Sequence, residues 1–177
     1  VEALVFQRMD VARMRAIETN LAADLAALTL PAGQIKTLGG SNAGQELTTI
    51  ALDLLYTTDA DRFGTVLAGK QLFADLANAT DTTGRPLYPI TGPSNANGST
   101  APGFSSMQVG GFTVVPVAGM TDGGYLIDQS AVVNWLGPVL EWTFDYEVAW
   151  VRLAHYQSQA NAVVDPTGIY RLTYSAS

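Results

Sequence analysis

The hydrophobic positions at the start of the chain fall on a helical stripe. Met14, Ile17, Leu21, Leu25 and Leu28 recur at three- and four-residue spacing and predict one long helix over 2–28. Alanines at 12, 16, 22, 23, 26 and 27 favour helix and let neighbours approach closely. "LPAGQ" ends it, because Pro31 cannot continue the hydrogen-bond ladder and Gly33 is a poor helix former. Such a helix is either a core element or a long spine whose polar side meets neighbouring subunits.

"GGSNAGQ" reads as a joint, with Ser41 or Asn42 able to cap a second helix in which Leu47, Ile50, Leu54 and Leu55 share one side. "FGTVLAGK" predicts a short buried strand. It runs into a third helix, "KQLFADLANAT", with Leu72, Phe73, Leu76 and Ala77 on one face. A strand followed by a helix predicts α/β layering at this point. "DTTGRPLYP" carries turn residues, and "ITGPSNANGSTAPG" is a long Gly/Asn/Ser/Pro loop, either solvated or in functional contact. "GGFTVVPVAG" and "GGYLIDQ" predict strands, the first placed at a sheet edge or bulge by Pro116. "SAVVNWLG" is expected as one short helical turn.

The run from Val139 to Tyr156 fits two periods. Trp142, Tyr146, Ala149, Leu153 and Tyr156 suit a helix, whereas Leu140, Trp142 and Phe144 alternate with Glu141, Thr143 and Asp145 as in a strand. Its valines, threonine and aromatics favour strand, and its length predicts two strands bent near Asp145. Trp142, Trp150 and Tyr156 are expected in the core. "NAVVDPTGIYRLTY" is expected as a hairpin joining 162–164 to 169–174 through "DPTG".

Composition narrows the function. Of 177 residues 47% are hydrophobic and 14% charged, which predicts one well-buried globular domain. The absence of cysteine removes disulfides, thiolate nucleophiles and zinc–thiolate sites from consideration and favours an intracellular place of synthesis. No apolar run reaches the length of a membrane span. The opening "VEALVFQRMDVARMR" does not have the pattern of a secretory signal, and a chain opening on Val1 is expected to be a fragment or processed product. With net charge −7 and nine scattered Lys and Arg, sequence-specific nucleic-acid binding is not expected.

Candidate chemistry is sparse. "GGSNAG" and "LAGKQ" lack the glycine spacing and Gly-Lys-Ser/Thr ending of a phosphate loop. Serine catalysis would need a base, only His155 is available, and no G-x-S-x-G elbow occurs. "TDADR" (Asp59, Asp61) lacks the glycine and distal glutamate of a calcium loop. Glu141, Asp145 and Glu147 would share one side of a strand, a solvated or inter-subunit face rather than an acid–base pair. No catalytic residue, metal ligand or cofactor site is expected.

Four stretches, "LFADLANATDTTGRPLYP", "GGFTVVPV", "GGYLIDQSAV" and "VRLAHYQSQANAVV…GIYRLTY", follow one another in an order that resembles the major capsid proteins of tailed bacteriophages with the HK97-like fold. The resemblance runs from about residue 45 to the end and is most specific at Arg152, Leu153, Ala154, His155, Tyr156 and Ala162. It implies an α+β fold in which a long spine helix joins the sheet of a peripheral (P) domain, 1–44 and 144–177, with an axial (A) domain inserted over 45–143. The N-terminal arm and extended loop that precede the spine in that family are not in this sequence. It implies a structural protein, not an enzyme: a major capsid subunit of the virion, made in the bacterial host cytoplasm, self-assembling around phage DNA. His155 would then pack or hydrogen-bond within a strand.

Some relatives weld subunits through Lys and Asn with help from Glu. Here the extended loop bearing the lysine is missing, Asp145 and Tyr146 stand where the asparagine is expected, and Val148 or Ala149 where the glutamate is, so contacts are expected to be non-covalent. The implied partners are copies of the chain in pentamers and hexamers, with portal, scaffold or decoration proteins, and no membrane. Candidate subunit-contact residues are Arg85, Asn95, Asn97, Asp145 and Glu147. Without arm and loop, the chain alone is expected as a monomer or small oligomer. An encapsulin-type compartment shell is the nearest alternative, and a hydrolase with an atypical site is the alternative of another class.

Overall fold

A computed structural model describes residues 2–39, 42–57, 63–88, 106–146 and 150–174, with the side chains of 2–5, 55, 57, 141–146 and 150–155 outside the description. The fold is mixed α+β. Helix α1 covers Glu2–Ala27, about 39 Å of rise. β1 (Ile35–Leu38) follows, then α2 (Ala43–Thr57), β2 (Phe63–Ala68) and α3 (Lys70–Asn78). β3 (Met107–Val109), β4 (Phe112–Pro116) and β5 (Gly124–Asp128) come next. The remaining strands are β6 (Val132–Leu136), β7 (Leu140–Tyr146), β8 (Trp150–Tyr156), β9 (Gln159–Val163) and β10 (Ile169–Tyr174).

Six strands form one sheet in the order β1-β10-β5-β2-β4-β3. β2 and β4 are parallel with α3 between them in the chain, the layering expected at that point. Strands from either side of residues 44/45 and 143/144 are hydrogen-bonded in this one sheet, since β1 and β10 join β2 to β5.

Alternation sorts the sheet's side chains onto two faces. Val66 and Ala68 of β2, Leu126 of β5, and Tyr170 and Leu172 of β10 meet Leu47, Ile50 and Leu54 of α2 and Leu72, Phe73 and Leu76 of α3. On the other face Tyr125, Ile127 and Ile169 meet Leu25 of α1 with Leu30 and Ala131. Phe63 breaks parity because the β2–β5 register shifts between Phe63 and Thr65. That bulge turns its ring to the helix side, edge-on to Tyr170 at 5.2 Å. β3 and β4 are joined by Gly110 and Gly111 at φ 58° and 90°, a type I′ turn that suits the strand twist.

Three expectations are overturned. "VVNWL" is strand β6, not a helical turn, because it pairs antiparallel with β9 from Val132↔Val163 to Leu136↔Gln159. β9 and β10 are not a hairpin. Pro166–Gly168 forms a 3-10 turn held by the Asp165 carboxylate, which accepts from the Thr167 N–H. It passes the chain from one sheet to another, where β10 lies between β1 and β5. β4 is neither an edge nor bulged: it lies between β2 and β3. Among the described residues β3 ends its pairing with β4 at Val114, two residues before Pro116, so no described residue of β3 faces the missing N–H.

The paired segments β6–β9 and β7–β8 run in series as a ribbon. Between Leu136↔Gln159 and Leu140↔Tyr156, the three residues Gly137, Pro138 and Val139 face two, Gln157 and Ser158. The Gly137 N–H donates to Ser158 O at 2.9 Å across this irregularity.

Candidate interaction surface

α1 is held to the ribbon by polar side chains at matched spacing. Arg13 Nη1 donates to Gln157 Oε1, Gln159 Nε2 donates to the Ile17 carbonyl, Asn20 Nδ2 donates to Gln159 Oε1, and Asn161 Nδ2 donates to Asp24 Oδ2. Positions 13, 17, 20 and 24 form a helical stripe, and 157, 159 and 161 one side of a strand. Eleven residues of helix rise about 16 Å and four of strand about 13 Å, so the two periods stay in register. This polar stripe of α1 therefore meets its own chain. Arg171 of β10 reaches the other end of α1, donating to the carbonyls of Leu25, Ala26 and Leu28.

What remains open is apolar. Along the α1 stripe Leu25 is 1% exposed and Ile17, Leu21 and Leu28 are half-buried, whereas Val11 and Met14 are 51% and 44% exposed. On the ribbon Trp135 is 55% exposed and its neighbours Leu136, Val139 and Leu140 are also exposed. Tyr156, expected in the core, is 46% exposed opposite Leu140. Alternating apolar residues in a strand read as core; here a two-stranded ribbon covered by α1 leaves part of its surface bare.

Of the candidate contact residues, Arg85 lies on the turn after α3, with an exposed side chain. The turn is made by backbone and by Asp81: the Asp81 carboxylate accepts from the N–H groups of Thr83 and Arg85 at 2.8 and 2.9 Å and from Thr83 Oγ1 at 2.7 Å. Gly84 takes φ 80°. Removing the Arg85 side chain would leave these bonds in place. Asp145 is in β7 opposite Val151, and its side chain lies outside the described residues. So do Asn95, Asn97, Glu147 and the 91–103 loop, together with Asp59 and Asp61. His155 is opposite Glu141 in β8, with its side chain outside the description. The structure thus places Arg85 and Asp145 on different elements.

Hydrogen bonding from Thr83, then from the Arg85 N–H, holds the Asp81 carboxyl below its ordinary value of 3.8. A lowered folded-state value means the unfolded chain binds the proton more readily. The turn is therefore fully supported above that ordinary value and loosens as pH falls through the lowered one. The protection of the Thr83 and Arg85 amides, their exchange relative to an unstructured amide at the same pH, is expected to fall in that acid window, and Asp81→Ala to lose it at every pH. Unchanged protection in acid would contradict this.

A groove of about 930 Å³ lies between α1, α3 and the segment after β4. Phe73, Ala77, Pro116 and Met120 make an apolar floor, with Arg15 and Lys70 at its rim. The nearby Glu18 carboxylate accepts from the Ala118 N–H at 3.2 Å. The start of α3 is not an anion site: the N–H groups of Gly69, Lys70 and Gln71 donate to the carbonyls of Gly123, Met120 and Thr121. Among the described residues no group of three or more His, Cys, Asp or Glu is placed to hold a metal ion, and no helix is long and apolar enough to cross a membrane.

No protein-family model matches the chain, and no curated protein matches it. Among solved structures it is similar to a chain of Gordonia phage Cozz, at 17% identity and a TM-score of 0.44, over 85% of this chain and 53% of that one. The chain spans about half the length of that structure.

Proposed function

We propose that the chain is a structural subunit of a phage shell, a major capsid protein of the HK97-like fold. The observation that supports this is the brace: a 26-residue helix tied along a β-ribbon by side chains and anchored at its far end by Arg171 from the sheet. Such a brace resists bending, as a tile in a closed shell must, and the bare apolar surfaces of α1 and the ribbon suit contacts between tiles. In this reading α1 with the ribbon is the peripheral part, and the six-stranded sheet with α2 and α3 the axial part. Each contact need only be modest, because many act together. An acidic protein lining would let packaged DNA slide rather than stick.

Purification from the cells that naturally make the protein tests this. The expected result is a closed particle of many copies with nuclease-protected DNA inside. A particle filled with protein cargo would indicate a compartment shell instead, and a free species of one or a few copies would overturn the shell reading.

A further inference from the structure

We infer that the groove between α1 and α3 receives the C-terminal half of α2 from a second copy of the chain, with Leu52 and Tyr56 as its anchors. The choice of a second copy rests on the shell reading; the fit rests on charge complementarity and apolar character. The protein carries net charge −7 with only nine Lys and Arg, yet two of those nine, Arg15 and Lys70, sit at the rim of an apolar groove with no carboxylate among its lining residues. Neither is ion-paired among the described residues. The nearby Glu18 carboxylate is turned to the Ala118 N–H. The groove is a local reversal of sign on an acidic molecule, and its complement is an apolar surface that carries acid.

α2 presents that complement. Its buried side, Leu47, Ile50 and Leu54, packs on the sheet and α3. Its opposite side carries Leu52 and Tyr56, one turn apart and 52% and 86% exposed. Exposed Asp53 adjoins them, and the 15 residues of α2 include two acids and no Lys or Arg. The helix dipole adds partial negative charge at this end. Other exposed apolar residues lack this match. Val11 and Met14 lie among Arg8, Arg13 and Arg15, and β6, with Trp135 and Leu136, carries no charge. Apolar anchors at i and i+4 are how a helix fills a groove, and about 930 Å³ takes both side chains. Groove and α2 are separate surfaces, so the contact is heterologous, and its repetition closes a ring or extends a filament.

Light scattering on the 177-residue chain tests it. Leu52→Ser with Tyr56→Ser is expected to weaken self-association about tenfold or more. Arg15→Glu with Lys70→Glu is expected to weaken it as well, and adding Asp53→Lys to that pair to recover part of the loss. These positions are all exposed, and circular dichroism identifies any variant that fails to fold. Tyr56→Ser alone and Lys70→Glu alone then replace the pairs. The chain has no cysteine, so introduced ones report the geometry of the contact. Under mild oxidation, mixed Tyr56→Cys and Asn78→Cys chains are expected to form disulfide-linked dimers well above the yield of either variant alone. A wild-type chain monomeric throughout, association unmoved by the serine pair, or cross-linking no greater in the mixture overturns the inference. The mass of the native particle decides the shell reading separately, because it does not depend on these substitutions.

Discussion

Replacing Gly123 with alanine is expected to lower the unfolding free energy by about 2–5 kcal/mol, a large part of the roughly 5–15 kcal/mol that holds a typical domain. Two costs combine. Gly123 takes φ 51°, where a side chain costs about 1–2 kcal/mol. Its Cβ would also stand 2.0 Å from the Leu172 carbonyl oxygen, a backbone atom of β10 that cannot swing aside. Gly124 is similarly confined, with the Leu67 carbonyl 2.3 Å from its would-be Cβ. The pair lets β5 enter between β2 and β10. Gly111→Ala is the control: φ is 90° and nothing lies within 4 Å, so only the conformational cost of about 1–2 kcal/mol is expected. Urea midpoints at matched slopes measure both, and equal losses would show that the approach of β10 contributes nothing.

Arg171→Met is expected to cost about 2–4 kcal/mol. α1 has no basic residue in its last turn, so its C-terminal carbonyls have no cation from their own helix. Arg171 supplies one, donating at 2.9 Å to Leu28 O and at 3.2 Å to Ala26 O, with its guanidinium 5.5 Å from the Tyr125 ring centre. Hydrogen bonds to a charged donor, the helix dipole and the ring contact all favour the cation there. Arg171→Lys keeps the charge but loses the planar fork, so an intermediate loss is expected. Amide exchange near residues 20–27 is expected to rise more than exchange in α2. A Met variant as stable as the parent would show that α1 is held by Leu25 and the ribbon alone.

Local pattern carried much of this fold. The helices α1, α2 and α3 follow from apolar spacing and from Pro31, and Asn42 does cap α2, its Oδ1 accepting from the Gln45 N–H. β2, β5 and the pair β7–β8 follow from apolar, β-branched and aromatic runs. What stayed hidden depends on distant partners. Val132, Val133 and Trp135 have strand propensity, but β6 is a strand because β9 lies beside it. "DPTG" has the residues of a hairpin turn, and nothing local says that β9 and β10 belong to different sheets. β1 was not anticipated: four residues after a helix stop become a strand only by pairing with β10. At the interaction surface, Arg85 was legible as part of a turn, but its dependence on Asp81 and backbone was not. Tyr156 and Trp135 were hidden by their own chemistry, since aromatic residues in strands look the same whether buried or bare.

The placement of β10 has a consequence for biosynthesis. It is last in chain order of the described strands, yet it lies inside the sheet, parallel to β1 and antiparallel to β5. Until β10 has emerged from the ribosome, β1 has no partner among the described strands and β5 is paired only with β2. The nascent polypeptide thus exposes hydrogen-bonding edges from the time β1 is made until β10 follows it, a window in which chaperones compete with aggregation.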